Sequence, residues 1–354
     1  MREVYVLGAG ASKAHGAPLT DEILPWAFTK RTGVNQRRLT MVADFLEKVF
    51  RFRAGSTMRN WRACPGLTET MSVVDMAIDR GERLHRAYGK KQLRSVRENL
   101  EYLIFKTLDF GLSHRNRERT GIDSMWRLCQ RLDPHDSTVI SFNYDILIDV
   151  QLVHRADHID AFDSGALGRR KHLPIDYGVE FRSAAPLPND AFKLLKLHGS
   201  FNWFWDPVTG DLIYGGTKKA IGEIYAGGRA AQKGWEPILV TPTHLKDLRN
   251  YHLAQLWRKA EQELRQADKI TFIGYSMPGD DMHIKYLFKR ALRTRKGDPP
   301  KIVVVDWVDP VERRRLKRKK QKPEVQLAYE RFFGAKDLKF HNIGFKVWAD
   351  GYLR

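Results

Sequence analysis

Four short segments carry the residue types that could do chemistry. GAGAS, at residues 8–12, follows an apolar run holding Val4, Tyr5, Val6 and Leu7. Gly8, Ala9, Gly10 and Ser12 are too small to shield the backbone, so a ligand can approach its N–H groups closely. A strand that turns into a helix through such residues is the architecture that holds a pyrophosphate. FNYD, at residues 142–145, supplies Asn143, whose carboxamide can orient a nucleophile, and the carboxylate of Asp145. LHGS, at residues 197–200, supplies His198, an imidazole able to take up a proton near neutral pH. GYSMP, at residues 274–278, adds Gly274 and Ser276. Plainer readings stand beside these. The Gly-Ala turn could serve close packing alone. Asn143 could cap a helix, and Asp145 could be a first-turn acid favoured by the helix dipole. A lone histidine is more often structural, and the chain has twelve.

Each segment follows a strand-like stretch, and so does Asp306, which comes after Lys301-Ile-Val-Val-Val305. The expected fold class is α/β: a Rossmann-like, largely parallel sheet with helices on both faces, plus a helical insertion subdomain. Ligands of such sheets bind outside the carboxyl ends of the strands, where these polar groups fall. Apolar residues at spacings of three and four (Leu39, Val42, Leu46, Val49) place the insertion at about residues 38–132. A Gly-rich, loop-rich excursion is expected at about 206–235. The catalytic domain would span 1–310. Residues 311–354 would add a basic helix and a C-terminal strand, Phe345-Lys346-Val347-Trp348, packed on the same domain.

Composition narrows the class. A chain of 354 residues, 42% hydrophobic, can bury a substantial core. No stretch of 18 apolar residues is present to cross a membrane, and the first strand begins without a basic-then-apolar leader. Cys64 and Cys129 are too far apart for a C-x-x-C site and give no disulfide framework. A cytoplasmic, reduced setting is expected. The net charge of +19 attracts polyanions. Its densest part, residues 313–322, reads as a solvated helix or as a nucleic-acid contact.

The order of the four motifs resembles the sirtuin superfamily, in which a GAG loop, a QNID-like segment and a His-Gly pair build an NAD site. It is most similar to the SIR2-like branch of bacterial anti-phage defence proteins. That resemblance implies NAD+ as substrate. Gly8, Ala9, Gly10 and Ser12 would cradle its phosphates, and Asn143 would meet the nicotinamide ribose and the attacking water. Asp145 would meet the carboxamide, and His198 would be catalytic. Gly274 and Ser276 would line the adenosine side, with Asp306 near the adenine ribose. The implied activity is NAD+ glycohydrolysis, giving nicotinamide and ADP-ribose. A non-catalytic NAD or ADP-ribose sensor and a nucleic-acid-associated effector are the rivals. An activator protein, nucleic acid or a homo-oligomer would be the partner. Two departures are from the dehydrogenase fingerprint and two from the sirtuin resemblance. Lys13 occupies the third position of the dehydrogenase G-x-G-x-x-G, and no acid lies in residues 29–36 to hold a ribose. Phe142 replaces the deacylases' glutamine. Two cysteines cannot supply the deacylases' four-cysteine zinc module, so no metal is expected.

Overall fold

A computed structural model describes residues 1–353 except 56–57, 116–123, 158–173, 183–185, 216–220, 223–224, 226–233, 244–249, 280 and 337. Strand β1, Glu3–Leu7, lies in the middle of a seven-stranded sheet. On one side of it stand β2 (Ser137–Ser141), β4 (Phe192–Lys196) and the short β3 (Ile175–Asp176). On the other stand β8 (Lys269–Ile273), β9 (Lys301–Val305) and β10 (Leu338–His341). The order is β10-β9-β8-β1-β2-β4-β3, and every pairing is parallel. The register aligns Leu7 with Ser141 and Ile273, Ser141 with Lys196, and Ile273 with Val305. The segments leaving these strands therefore emerge at one level. Strands β2 to β4 are added on one side of β1 and β8 to β10 on the other, which makes the carboxyl end of β1 the topological switch point.

Near-continuous burial of β1, β2 and β8 follows from helices on both faces. Helices α6 (Ser124–Arg131), α7 (Leu147–Asp157) and α12 (Gly344–Tyr352) form one layer. Helices α8 (Tyr251–Gln266), α9 (Met282–Arg293) and α11 (Glu324–Phe333) form the other. There Phe272 of β8 meets Phe288, Tyr329 and Phe333 at ring-centroid distances of 5.0–5.4 Å. Helix α10, Pro310–Arg318, carries much of the basic run and is capped by Asp309.

A second core belongs to helices α2 (Ile23–Thr29), α3 (Gln36–Phe50), α4 (Leu67–Arg80) and α5 (Lys90–Arg115). Leu46, Met71, Val96 and Leu100 are fully buried in it. Met125, Leu128 and Cys129 of α6 bury in the sheet core instead, although the sequence reading grouped that helix with the insertion. A three-stranded antiparallel sheet, β6-β5-β7, joins the two cores. It comprises β5 (Gly199–Trp205), β6 (Leu212–Tyr214) and β7 (Glu236–Leu239). Phe201 and Phe204 enter the helical core while Trp203 enters the sheet core. A register shift between Gly199 and Phe204 breaks the two-residue alternation. Of the expected excursion at 206–235, β6 is described and much of the rest lies outside the described residues, as do Lys218, Lys219 and Asp280.

The C-terminal segment differs from expectation. Phe345–Trp348 is helix, within α12, and the last strand is β10. Phe345, Trp348 and Ala349 bury on the core at helical spacing. A four-residue window of alternating bulky residues does not separate that pattern from a strand.

Candidate active site

The site is assembled from turns at the carboxyl ends of five neighbouring strands. After β1 the chain enters the one-turn helix α1, Ala9–Lys13. The Gly8 N–H donates to the Ile273 carbonyl at 3.0 Å, and the Gly10 N–H to the Gly274 carbonyl at 2.8 Å. The turns after β1 and β8 thus interlock. A Cβ on Gly8 would stand 2.5 Å from the Gly274 carbonyl oxygen, and one on Gly10 would stand 2.7 Å from the Gly274 Cα. Gly274 itself has φ +62, and a Cβ there would lie 2.2 Å from the Ala11 nitrogen. Close packing is one function of these glycines, and it directs the Gly8 and Gly10 donors into the protein.

Ser12, Asn143 and Asp145 come together across β1 and β2. The buried Ser12 Oγ donates to Asp145 Oδ2 at 2.6 Å. Asn143 Nδ2 donates to the Gly8 carbonyl at 3.0 Å and to Ser12 Oγ at 2.9 Å. The Gly8 carbonyl can only accept, which fixes the amide orientation and leaves Asn143 Oδ1 as the outward acceptor. Asn143 therefore does not cap α7. Asp145 does engage it, since Oδ1 accepts the Leu147 N–H at 3.0 Å. The plainer reading of Asp145 holds for one carboxylate oxygen, while the other holds Ser12.

His198 follows β4. Its Nδ1 lies 3.2 Å from the Phe142 carbonyl, so Nδ1 carries the proton and Nε2 is the basic nitrogen of the neutral ring. The ring packs against Phe142 and Tyr144, with centroids 5.3 and 6.3 Å away. Gly199, with φ +77, then reverses the chain into β5, and a Cβ there would strike the Ile238 carbonyl oxygen at 1.9 Å. The Val240 N–H closes the turn on the His198 carbonyl at 2.9 Å.

Lys196 underlies this arrangement and was not singled out from the sequence. Its ammonium is fully buried against the equally buried Asp149, at 3.1 Å. It also donates to the Asp145 carbonyl and to Ser200 Oγ, both at 2.6 Å. Tyr177 donates to the second Asp149 oxygen at 2.6 Å. Lys196 thereby pins the Asn143–Asp145 turn to the His198–Ser200 turn. A lysine within the apolar run FKLLKL, alternating with His198 and Ser200, was the available signal. Arg97 of α5 is a second residue outside the sequence reading. It donates to Asp75 at 2.6 Å, pairs with Glu101, and reaches Thr241 Oγ1 at 3.2 Å. It ties the helical insertion to the segment where Tyr144 donates to the Val240 carbonyl at 2.7 Å.

Ser276 and Asp306 stand apart from this network. Ser276 is exposed at the mouth beyond β8. Asp306 ends β9 and accepts the Trp307 N–H at 2.9 Å, and burial raises its carboxyl pKa. Among the described residues, no group of three or more His, Cys, Asp or Glu is placed to hold a metal ion.

The family model described as SIR2-like domain matches residues 137–326, from β2 into α11. No curated protein matches the chain. Among solved structures, a Sir2 with an inhibitor, 2'-O-acetyl-ADP-ribose and a deacetylated peptide matches at 11% identity and TM-score 0.42. The match covers 99% of this chain and 91% of that one. Sir2Tm bound to a propionylated peptide matches at 11% identity and TM-score 0.42, over 100% and 94% of the two chains.

Proposed function

The chain belongs to the SIR2-like domain family, and on that premise we propose that it is an NAD+ glycohydrolase yielding nicotinamide and ADP-ribose. Membership implies NAD-binding or NAD-using chemistry. The observation that carries the finer reading is the convergence of Ser12, Asn143 and Asp145 in one hydrogen-bonded cluster, with His198 bonded to the backbone beside Asn143. The glycines of the β1 and β8 turns pack on one another, so they set the position of Ser12 and leave the phosphate-cradling role of this turn as part of the proposal.

Cleavage of the nicotinamide–ribose bond develops oxocarbenium character at the anomeric carbon. The leaving group is already cationic and departs as neutral nicotinamide without protonation. Asn143 Oδ1 orients a water toward that carbon. The water oxygen bonds to carbon as the C–N bond breaks, and its proton passes to His198 Nε2. Asp145 and Ser12 hold the Asn143 side chain in place. Two cysteines cannot form the four-cysteine zinc module of deacylases, which favours water over an acylated peptide as acceptor.

The motif forms FNYD, KLHGS and GYSMP support an anti-phage defence role in the cytoplasm. Depletion of the host's NAD+ would be lethal there, so a resting state released by an activator or by self-assembly is part of the proposal. The test is nicotinamide release by His198→Ala and Asn143→Ala. Each is expected to lose at least about 10²-fold in rate while the protein stays folded. Wild-type rates in both would contradict the assignment.

A further inference from the structure

The basic run forms the rim of a cleft at the edge of the molecule. Helices α10 and α11, joined through residues 319–323, enclose with Asn342 a space of about 460 Å³. Arg313, Arg314, Lys317 and Lys322 line it. The amides of Gln321, Gln326 and Asn342 stand between them, with Leu316 and Pro323 as apolar floor. No carboxylate is among these lining residues. Two neighbouring acids are engaged, Glu312 by Arg315, and Glu330 by Lys322 at 2.8 Å and Gln326 at 2.8 Å, while Glu324 is exposed at the start of α11. Among the described residues no ion pair engages Arg314 or Lys317, and Arg314 Nε donates to the Pro310 carbonyl at 3.3 Å, so both keep their charge for a ligand.

Trp307 does not line the cleft but is 63% exposed and pairs with the residue that follows Asn342. It bridges to Ile343 and rests on Gly344, while Arg313 Nη1 donates to the Asn342 carbonyl at 3.4 Å. The indole and the cationic cleft therefore flank one short turn. An exposed aromatic next to converging cations and carboxamides is the composition that binds unstacked bases and their phosphates.

We propose that this surface binds single-stranded nucleic acid, with phosphates against Arg313, Arg314 and Lys317 and a base stacked on Trp307. Arg314 and Lys317 are exposed to solvent where they line the cleft, and the chain's net charge of +19 supplies long-range attraction. A duplex keeps its bases stacked and offers Trp307 no partner. The inference is independent of NAD chemistry, and its test reads binding alone.

The experiment is fluorescence anisotropy of a labelled oligodeoxythymidylate of about twelve nucleotides with the full chain, over roughly 50–200 mM salt. Three phosphate contacts predict that log K falls with log salt at a slope of about −2. Arg314→Ala/Lys317→Ala is expected to weaken binding at least about tenfold and to cut the slope to about −0.7. Trp307→Ala is expected to lose about tenfold with the slope unchanged. Lys90→Ala/Lys91→Ala removes the same charge from the exposed start of α5 and is expected to change neither quantity. Melting curves check that each variant folds. Three results would overturn the proposal: wild-type affinity in Arg314→Ala/Lys317→Ala, an equal loss in the α5 pair, or tighter binding to phosphatidylserine vesicles than to the oligonucleotide.

Discussion

Lys196 is a fully buried ammonium whose contacts all lie beneath the candidate active site. Removing one member of a buried ion pair strands the other charge, at a cost of about 3–5 kcal/mol. Lys196→Met is therefore expected to lower the urea midpoint strongly. Lys196→Met/Asp149→Leu, which removes both charges, is expected to recover much of that loss. Unchanged stability in the single variant would show that the pair is not load-sharing. Asp306 works in the opposite sense. Burial raises its folded pKa above the unfolded value. Its contribution to folding is thus fully present below the unfolded carboxylate range and is lost as pH rises through the folded pKa. Asp306→Asn is expected to raise the melting temperature at about pH 8 and to give no gain at about pH 3. If Asp306 also meets a ribose, the same change weakens NAD+ binding. A melting temperature that falls at about pH 8 would contradict this account of Asp306.

Among the elements, the interlocked turns after β1 and β8 set the geometry of the site. Gly274→Ala combines a positive φ with a 2.2 Å approach to backbone, so a loss of about 3 kcal/mol is expected. Gly279→Ala, where an added Cβ meets nothing within 4 Å, is the matched control and is expected to leave the melting temperature unchanged. The strands that deliver the site were legible because each is a short, mostly apolar run followed within two residues by Gly, Asn, His or Asp. Other features were not legible, for identifiable reasons. The contacts of Lys196 join residues 47 and 51 positions apart, and they exist only because β2 and β4 are neighbours. The small antiparallel sheet was hidden because GSFNWFW is buried on both faces and lacks alternation. Phe345–Trp348 has a strand-like pattern by itself, and the helical period shows only when Ala349 and Tyr352 are included.

For the molecule as a whole, two cores meet at the site. The sheet core supplies Ser12, Asn143, Asp145 and His198. The helical core reaches the adjoining segment through Arg97 and through Phe105, which packs on Phe201 at 5.3 Å. The basic cleft lies on the β9–β10 side, where Gly344 donates to the Asp306 carbonyl at 2.9 Å. The basic cleft thus adjoins Asp306, the candidate residue that stands apart from the His198 network. The most direct measurement is nicotinamide and ADP-ribose formation from NAD+ by the purified chain, without acylated peptide, alone and with the oligonucleotide. The account predicts equal amounts of both products in at least one of these conditions, and neither product from His198→Ala. NAD+ binding without cleavage in both conditions, or cleavage that requires an acylated peptide, would contradict it.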